Sequence, residues 1–190
     1  MFKKEISVFS KWKEDNEKVV DKCLTHDAEY WKIDRLISRN PQDKAATERV
    51  IEENFLFLKD IYIELSAQSA FPLVSQICFA DFCIKCKMIG QHLNLSDIDR
   101  HFLASLYEEN VDHKQNNMCR FMFLEALVRI ADSKYRQPGL ADTYAEALER
   151  LIHQDITPHW GSTNWMGYRL DWLWQVDVND TFQSNILGMR

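Results

Sequence analysis

Apolar positions along this chain recur mostly at helical spacing, which resolves it into a succession of amphipathic helices. The densest stretch runs from Cys78 to Ala131. In its second half Phe121 and Phe123 alternate as in a short extended segment. Leu124, Leu127, Val128 and Ala131 then recur at a helical period. The first half repeats the change of period: Ile77 and Phe79 alternate, and Phe82, Cys86 and Ile89 line one helical face. This alignment sets Ile77 against Cys119, Phe79 against Phe121 and Phe82 against Leu124.

A strand-like residue followed at once by a helix is how an EF-hand loop ends, and two copies allow each to bury the other's apolar face. The expected fold is therefore all-α: a degenerate EF-hand pair, two helix–loop–helix units with a short strand pairing between their loops. Additional helices are expected at both ends. The calcium chemistry is missing. With Ile77 at the eighth loop position, Ala70, Pro72 and Val74 stand where oxygen ligands belong. In the second loop Asp112 and Asn116 offer oxygens, but Lys114 sits at the third position, Asn117 replaces the glycine and Phe123 replaces the bidentate Glu. Closing that loop on Glu125 instead puts Lys114 first and Met118 fifth, which is no better.

The remaining punctuation gives the outline. Residues 3 to about 38 read as one or two charged helices, with Ile6, Phe9, Trp12, Val19, Cys23, Tyr30 and Ile37 on the apolar side. Asn40-Pro41 reads as a stop. Thr47 reads as the cap of a helix carrying Val50, Ile51, Phe55, Leu58, Ile61, Tyr62 and Leu65. Ser66 to Ser75 and Glu108 to Asn117 are the two loops. Ser96 with Asp99 suggests a capping box for the helix of Ile98, Phe102, Leu103 and Leu106. After Pro138-Gly139 a helix is expected over Leu140 to Ile152, then an irregular aromatic segment, then a short helix over Asp177 to Ile186. The implied organisation is an N-terminal helical arm over 1–40, a paired helical domain over 47–153 and an aromatic-rich extension over 154–190.

Composition narrows the function. Of 190 residues, 46% are hydrophobic and 27% charged, as in ordinary globular domains. A net charge of −6 with scattered Lys and Arg argues against nucleic acid as partner. No apolar run is long enough for a membrane span, and the N-terminus lacks the apolar stretch of a signal peptide. Five cysteines with no secretory signal suggest reduced thiols and a cytoplasmic setting. The Asn94-Leu95-Ser96 sequon is then incidental.

Candidate chemistry is sparse. Cys78, Cys83, Cys86 and Cys119 reproduce the spacing of a plant-type iron–sulfur ligand set, and Cys83, Cys86 and His92 could hold zinc. The bulky Phe79, Phe82 and Ile84 among them favour buried thiols on a helix instead, so no cofactor is expected. There is no phosphate-binding glycine loop, nucleophile elbow or HExxH helix. His101 and His153 sit on amphipathic helices, Asp97 and Asp99 read as capping residues, and Glu125 with Arg129 forms an i, i+4 pair expected on an exposed face. No enzyme is expected. The suggestive feature is the tail, where Trp160, Trp165, Tyr168, Arg169, Trp172 and Trp174 have the composition of interface anchors or of a cover over the helical core.

In order, the segments LSAQSAFP, ICFADFCIKCKMI, LNLSDIDRHFLAS, MCRFMFLEALVRIADSKY and LWQVDVNDTFQSNILG resemble a divergent EF-hand-like domain of proteins from the motile cilia of ciliates and other protists. The resemblance covers about Val50 to Gly188. It implies a non-enzymatic structural subunit of the ciliary or flagellar axoneme, beside microtubules, radial spokes or dynein. Tubulin or axonemal complexes would be its partners. The expected mechanism is an apolar groove between helices holding a partner helix, with the aromatic tail as a second contact. The alternatives are a calcium-responsive subunit and a metal-cluster or redox protein using the four cysteines.

Overall fold

The computed structural model describes residues 2–38, 40–69, 71–106, 117–161, 164–186 and 188. The first helix, α1, spans Glu17–Tyr30 and lies between 3-10 turns at Lys4–Ile6 and Ile33–Arg35. Asn40 and Pro41 then start a helix instead of stopping one: α2 runs from Pro41 to Ala67. Pro41 fits the first helical turn because its missing N–H would find no partner there. The Asn40 side-chain oxygen accepts from the amides of Gln42 and Asp43 at 3.2 and 3.1 Å, so Asn40 is the cap expected of Thr47. Thr47 is buried inside α2, its hydroxyl donating to the Asp43 carbonyl.

Strand β1 (Val74–Ser75) pairs antiparallel with β2 (Asn117–Met118), with Val74 opposite Met118 and Ser75 opposite Asn117. Strand pairing between the two loops is therefore present, but in a different register from the alignment of Ile77 with Cys119. Ile77 is 75% exposed on α3 (Gln76–Lys85), and Cys119 caps α5 (Arg120–Ala131). The observed register matches Phe79 with Phe123 and Phe82 with Ala126, and all four are buried. The Tyr62 hydroxyl on α2 bridges the first loop and β2, reaching the carbonyls of Pro72 at 2.6 Å and Met118 at 3.3 Å. Between the two halves α4 covers Leu95–Ser105. Its capping box uses Asn94 and Asp97, two residues before the expected pair. Asp99 instead accepts from the Gln76 side chain at 2.8 Å. Of the second loop only Asn117 is described, so Asp112 and Asn116 lie outside the described residues.

Helix α5 sits in the centre. Phe123, Leu124, Ala126, Leu127, Val128, Ile130 and Ala131 are all buried, so the helix has almost no solvent face. It passes into a π-helical turn at Asp132–Arg136, and Gly139, with φ +78°, makes the left-handed turn that ends it. Helix α6 therefore starts late, at Tyr144–Arg150, capped by Thr143. It continues as a π-helical segment over Leu151–Ile156 into α7, Thr157–His159.

The chain divides into two compact units, Lys18–Gly161 and the joined chain ends Met1–Glu17 with Ser162–Arg190. Within the larger unit, the Asp43 carboxylate on α2 accepts from the first-turn amides of Tyr144 and Ala145 at 3.1 and 3.3 Å. A buried carboxylate thus satisfies two orphan donors of α6 and complements its dipole. Replacing Asp43 with Ala should lower the unfolding free energy by about 2 kcal/mol in denaturant titration, and Asp43→Asn by less.

Candidate interaction surface

In the larger unit the apolar side of the paired helices is covered by the chain itself. Ala145, Ala147 and Leu148 of α6, followed by Leu151, Ile152 and Ile156, are buried on the side that packs against α2 and α5. Beyond α7, Trp160 turns its ring edge onto Phe82 at 5.3 Å, and Lys85 Nζ lies 4.0 Å above the same ring. Phe79, Phe102, Phe123 and Tyr62 extend this aromatic cluster inward. Trp160 is only 6% exposed, so it leaves the set of tail residues that could anchor a partner. Helix α6 packs against both α2 and α5.

Charges in this unit are used for assembly. Arg120, at the start of α5, donates to both carboxylate oxygens of the buried Asp27 on α1, its Nη2 at 3.1 Å, while its guanidinium lies over the Phe55 ring of α2. Glu125 is 2% exposed, so its pair with Arg129 is buried and not a surface pair. It also accepts from the Lys32 amide at 3.3 Å. One residue thereby holds both a cation and the backbone after α1, which sequence spacing alone could not show.

The cysteines take structural positions. Cys83 is buried on α3 and Cys86 at its C-terminal cap, Cys78 lies in its first turn and Cys119 precedes α5. Among the described residues no three His, Cys, Asp or Glu side chains gather to hold a metal. Burial pushes the Cys83 thiol well up and that of Cys86 to about 12, so both stay protonated at neutral pH. Cys83 and Cys86 should therefore resist a thiol reagent in the native protein and react once denaturant is added. Cys23, Cys78 and Cys119, which are partly exposed, should react first.

His101 on α4 is hydrogen bonded through Nε2 to Ser133 Oγ at 2.8 Å, whereas His92 and His153 are exposed. Burial, aided by Arg100 and Arg129 and opposed by Asp97 and Asp132, lowers its pKa below 6.5. The unfolded chain then takes up the proton more readily than the folded one, so stability should fall as pH drops below about 6.5. His101→Gln should flatten that slope in thermal unfolding at pH 7 and pH 5.

The terminal unit is built from both chain ends around aromatic rings. Trp12 and Trp174 meet edge to face at 5.2 Å, Phe9 meets Phe182 at 5.7 Å, and the Val8 amide donates to Asn179 Oδ1 at 3.0 Å. Lys4 Nζ lies 4.8 Å from the Trp12 centroid and 5.1 Å from that of Trp174. Arg169 stacks on Trp12 at 4.6 Å and donates to the Trp165 carbonyl at 3.0 Å. Trp174 and Arg169 are thus engaged within the unit. The helix α8 (Trp165–Tyr168) continues as a π-helical turn, Arg169–Leu173, before α9 (Val176–Asn185). Along the first two, Trp165, Tyr168 and Trp172 recur at spacings of three and four and are 40%, 51% and 70% exposed. They form one outward aromatic face.

The chain matches no protein-family model, no curated protein and no solved structure. Its function therefore rests on its own geometry. Among the described residues no helix is long and apolar enough to cross a membrane. Of the six tail candidates, the structure places Trp165, Tyr168 and Trp172 together at the surface, turns Arg169 and Trp174 inward within the terminal unit, and buries Trp160 in the larger one.

Proposed function

We propose that this chain is a non-enzymatic interaction subunit whose recognition element is the aromatic face of its terminal unit. The observation that carries the reading is the exposure of Trp165, Tyr168 and Trp172 on one helical face. Large rings at regular spacing are costly to leave in water and are typical anchors of protein interfaces. The larger unit acts as the scaffold.

The scaffold is EF-hand-like in this reading. Two helix pairs, α2 with α3 and α4 with α5, are joined by loops whose strands pair at Val74 and Met118, as the eighth positions of paired EF-hand loops do. Counted from those residues, the first loop offers Ala67, Ser69 and Phe71 at its ligand positions and Cys78 at its twelfth. The second offers Val111, His113 and Gln115, with Met122 at its twelfth. Calcium coordination fails in this register as in the others, so recognition is calcium-independent. Likeness to the EF-hand-like domains of motile cilia supports the axoneme as the assembly served.

The test is to tag the protein in its own cell and extract cilia with detergent and then salt. Wild type should stay with the salt-washed microtubules, and Trp165→Ala with Trp172→Ala should release it. A soluble cell-body signal for wild type would sink the axonemal reading, and retention of the double variant would sink the aromatic face.

A further inference from the structure

The terminal unit contains a corner of two indole rings that already holds an ammonium group. Trp12 and Trp174 meet at 5.2 Å between centroids, with their planes 67° apart. The Nζ of Lys4 lies 4.8 Å from the first centroid and 5.1 Å from the second, so one cation faces both rings at once. Aromatic cages hold methylated ammonium groups through contacts of this kind. Other contacts fix the rings besides Lys4. The Trp12 amide donates to the Phe9 carbonyl at 3.0 Å, and the Trp174 amide to the Arg169 carbonyl at 2.7 Å. Phe9 packs on Phe182 and the Val8 amide donates to Asn179, two further contacts that join the chain ends. The Lys4 carbonyl is held by Ser7, whose amide and hydroxyl donate to it at 3.1 and 2.7 Å. The half-buried Lys4 side chain can therefore swing out while its turn and both rings stay in place.

An unmethylated ammonium is a weak occupant of such a corner. It is strongly hydrated, and the rings displace water that it would keep in the open. Methyl groups on the nitrogen remove that hydration and leave the charge, so the same rings favour a methylated ammonium. Lys4 also defines the shape of the guest, a butyl stem ending in a cation. Exchanging Lys4 for another lysine side chain leaves the local charge unchanged, and Arg169 keeps its place 4.6 Å from the Trp12 ring. We propose that Trp12 and Trp174 form a cage for a methylated lysine of a partner protein, filled by Lys4 until that guest displaces it. No ring of the exposed Trp165, Tyr168 and Trp172 face takes part.

The full-length protein is titrated into a labelled peptide carrying trimethyllysine among Gly and Ser residues, followed by fluorescence anisotropy. Indole N–H shifts in the NMR spectrum locate the contact. The other probes are the unmodified lysine peptide, a neutral tert-butyl isostere of trimethyllysine, and phosphatidylcholine vesicles. The trimethyllysine peptide should bind about 10-fold more tightly than the lysine peptide or the isostere, and should move the Trp12 and Trp174 signals. Tetramethylammonium should compete with it. Lys4→Ala and Lys4→Gln empty the cage and should tighten binding about 5-fold, a gain that a folding defect would not produce. Trp12→Ala should abolish binding, and Trp165→Ala with Trp172→Ala should leave it unchanged. The proposal is overturned if neither wild type nor the Lys4 variants bind the trimethyllysine peptide, if the isostere binds equally, if the Trp12 and Trp174 signals stay still, or if both Lys4 variants show no gain. Vesicle binding without peptide binding also overturns it, assigning the corner to a choline lipid.

Discussion

A helix with almost no polar side must be enclosed, and that constraint on α5 governs the larger unit. Seven of its residues are buried apolar side chains, more than one neighbouring helix can cover. α2, α4 and α6 pack around it, and α1 is pinned to its first turn by Arg120 and Asp27. The late segment from Tyr144 to Trp160 is thereby a structural wall of the core. Detaching it from the core would expose its own buried Leu148, Leu151, Ile152, Ile156 and Trp160 at once.

The polar groups inside this wall are all partnered. Among the described residues no buried side-chain nitrogen or oxygen lacks a hydrogen-bond partner. Asp27 meets Arg120, Asp43 meets the start of α6, Glu125 meets Arg129 and the Lys32 amide, and Asp155 meets Tyr135 and Lys134. Such pairs add little net stability over apolar replacements, but breaking one strands a charge in a low-dielectric interior. Their role here is directional: each joins segments that the apolar surfaces alone could pack in more than one way.

Helix α6 packs in cis against both α2 and α5. The terminal unit is small, and aromatic rings and cation–π contacts stand in for an aliphatic core. Trp12 and Trp174 hold the two chain ends together, whereas Trp165, Tyr168 and Trp172 stand exposed. In a partnerless protein, such an outer stripe would be a liability for association.

Local chemistry in the sequence determined much of the helical character and the tail's aromatic content. Helical periodicity places Phe82, Leu124, Leu127 and Val128 inward because side chains repeat on a helix regardless of what covers them. Tertiary structure decided what local rules leave open. Asn40-Pro41 satisfies the chemistry of a helix end and of a helix start, and only the packing of α2 selects the start. Strand register between the loops was not legible, because Ile77 and Val74 are equally good β-formers and only Val74 faces the core. Likewise Trp160 and Trp172 are the same residue in one aromatic run. The first is buried against Phe82, far away in sequence, and the second is 70% exposed. Periodicity is a property of neighbours along the chain, whereas burial is set by residues far away in sequence, such as Trp160 against Phe82.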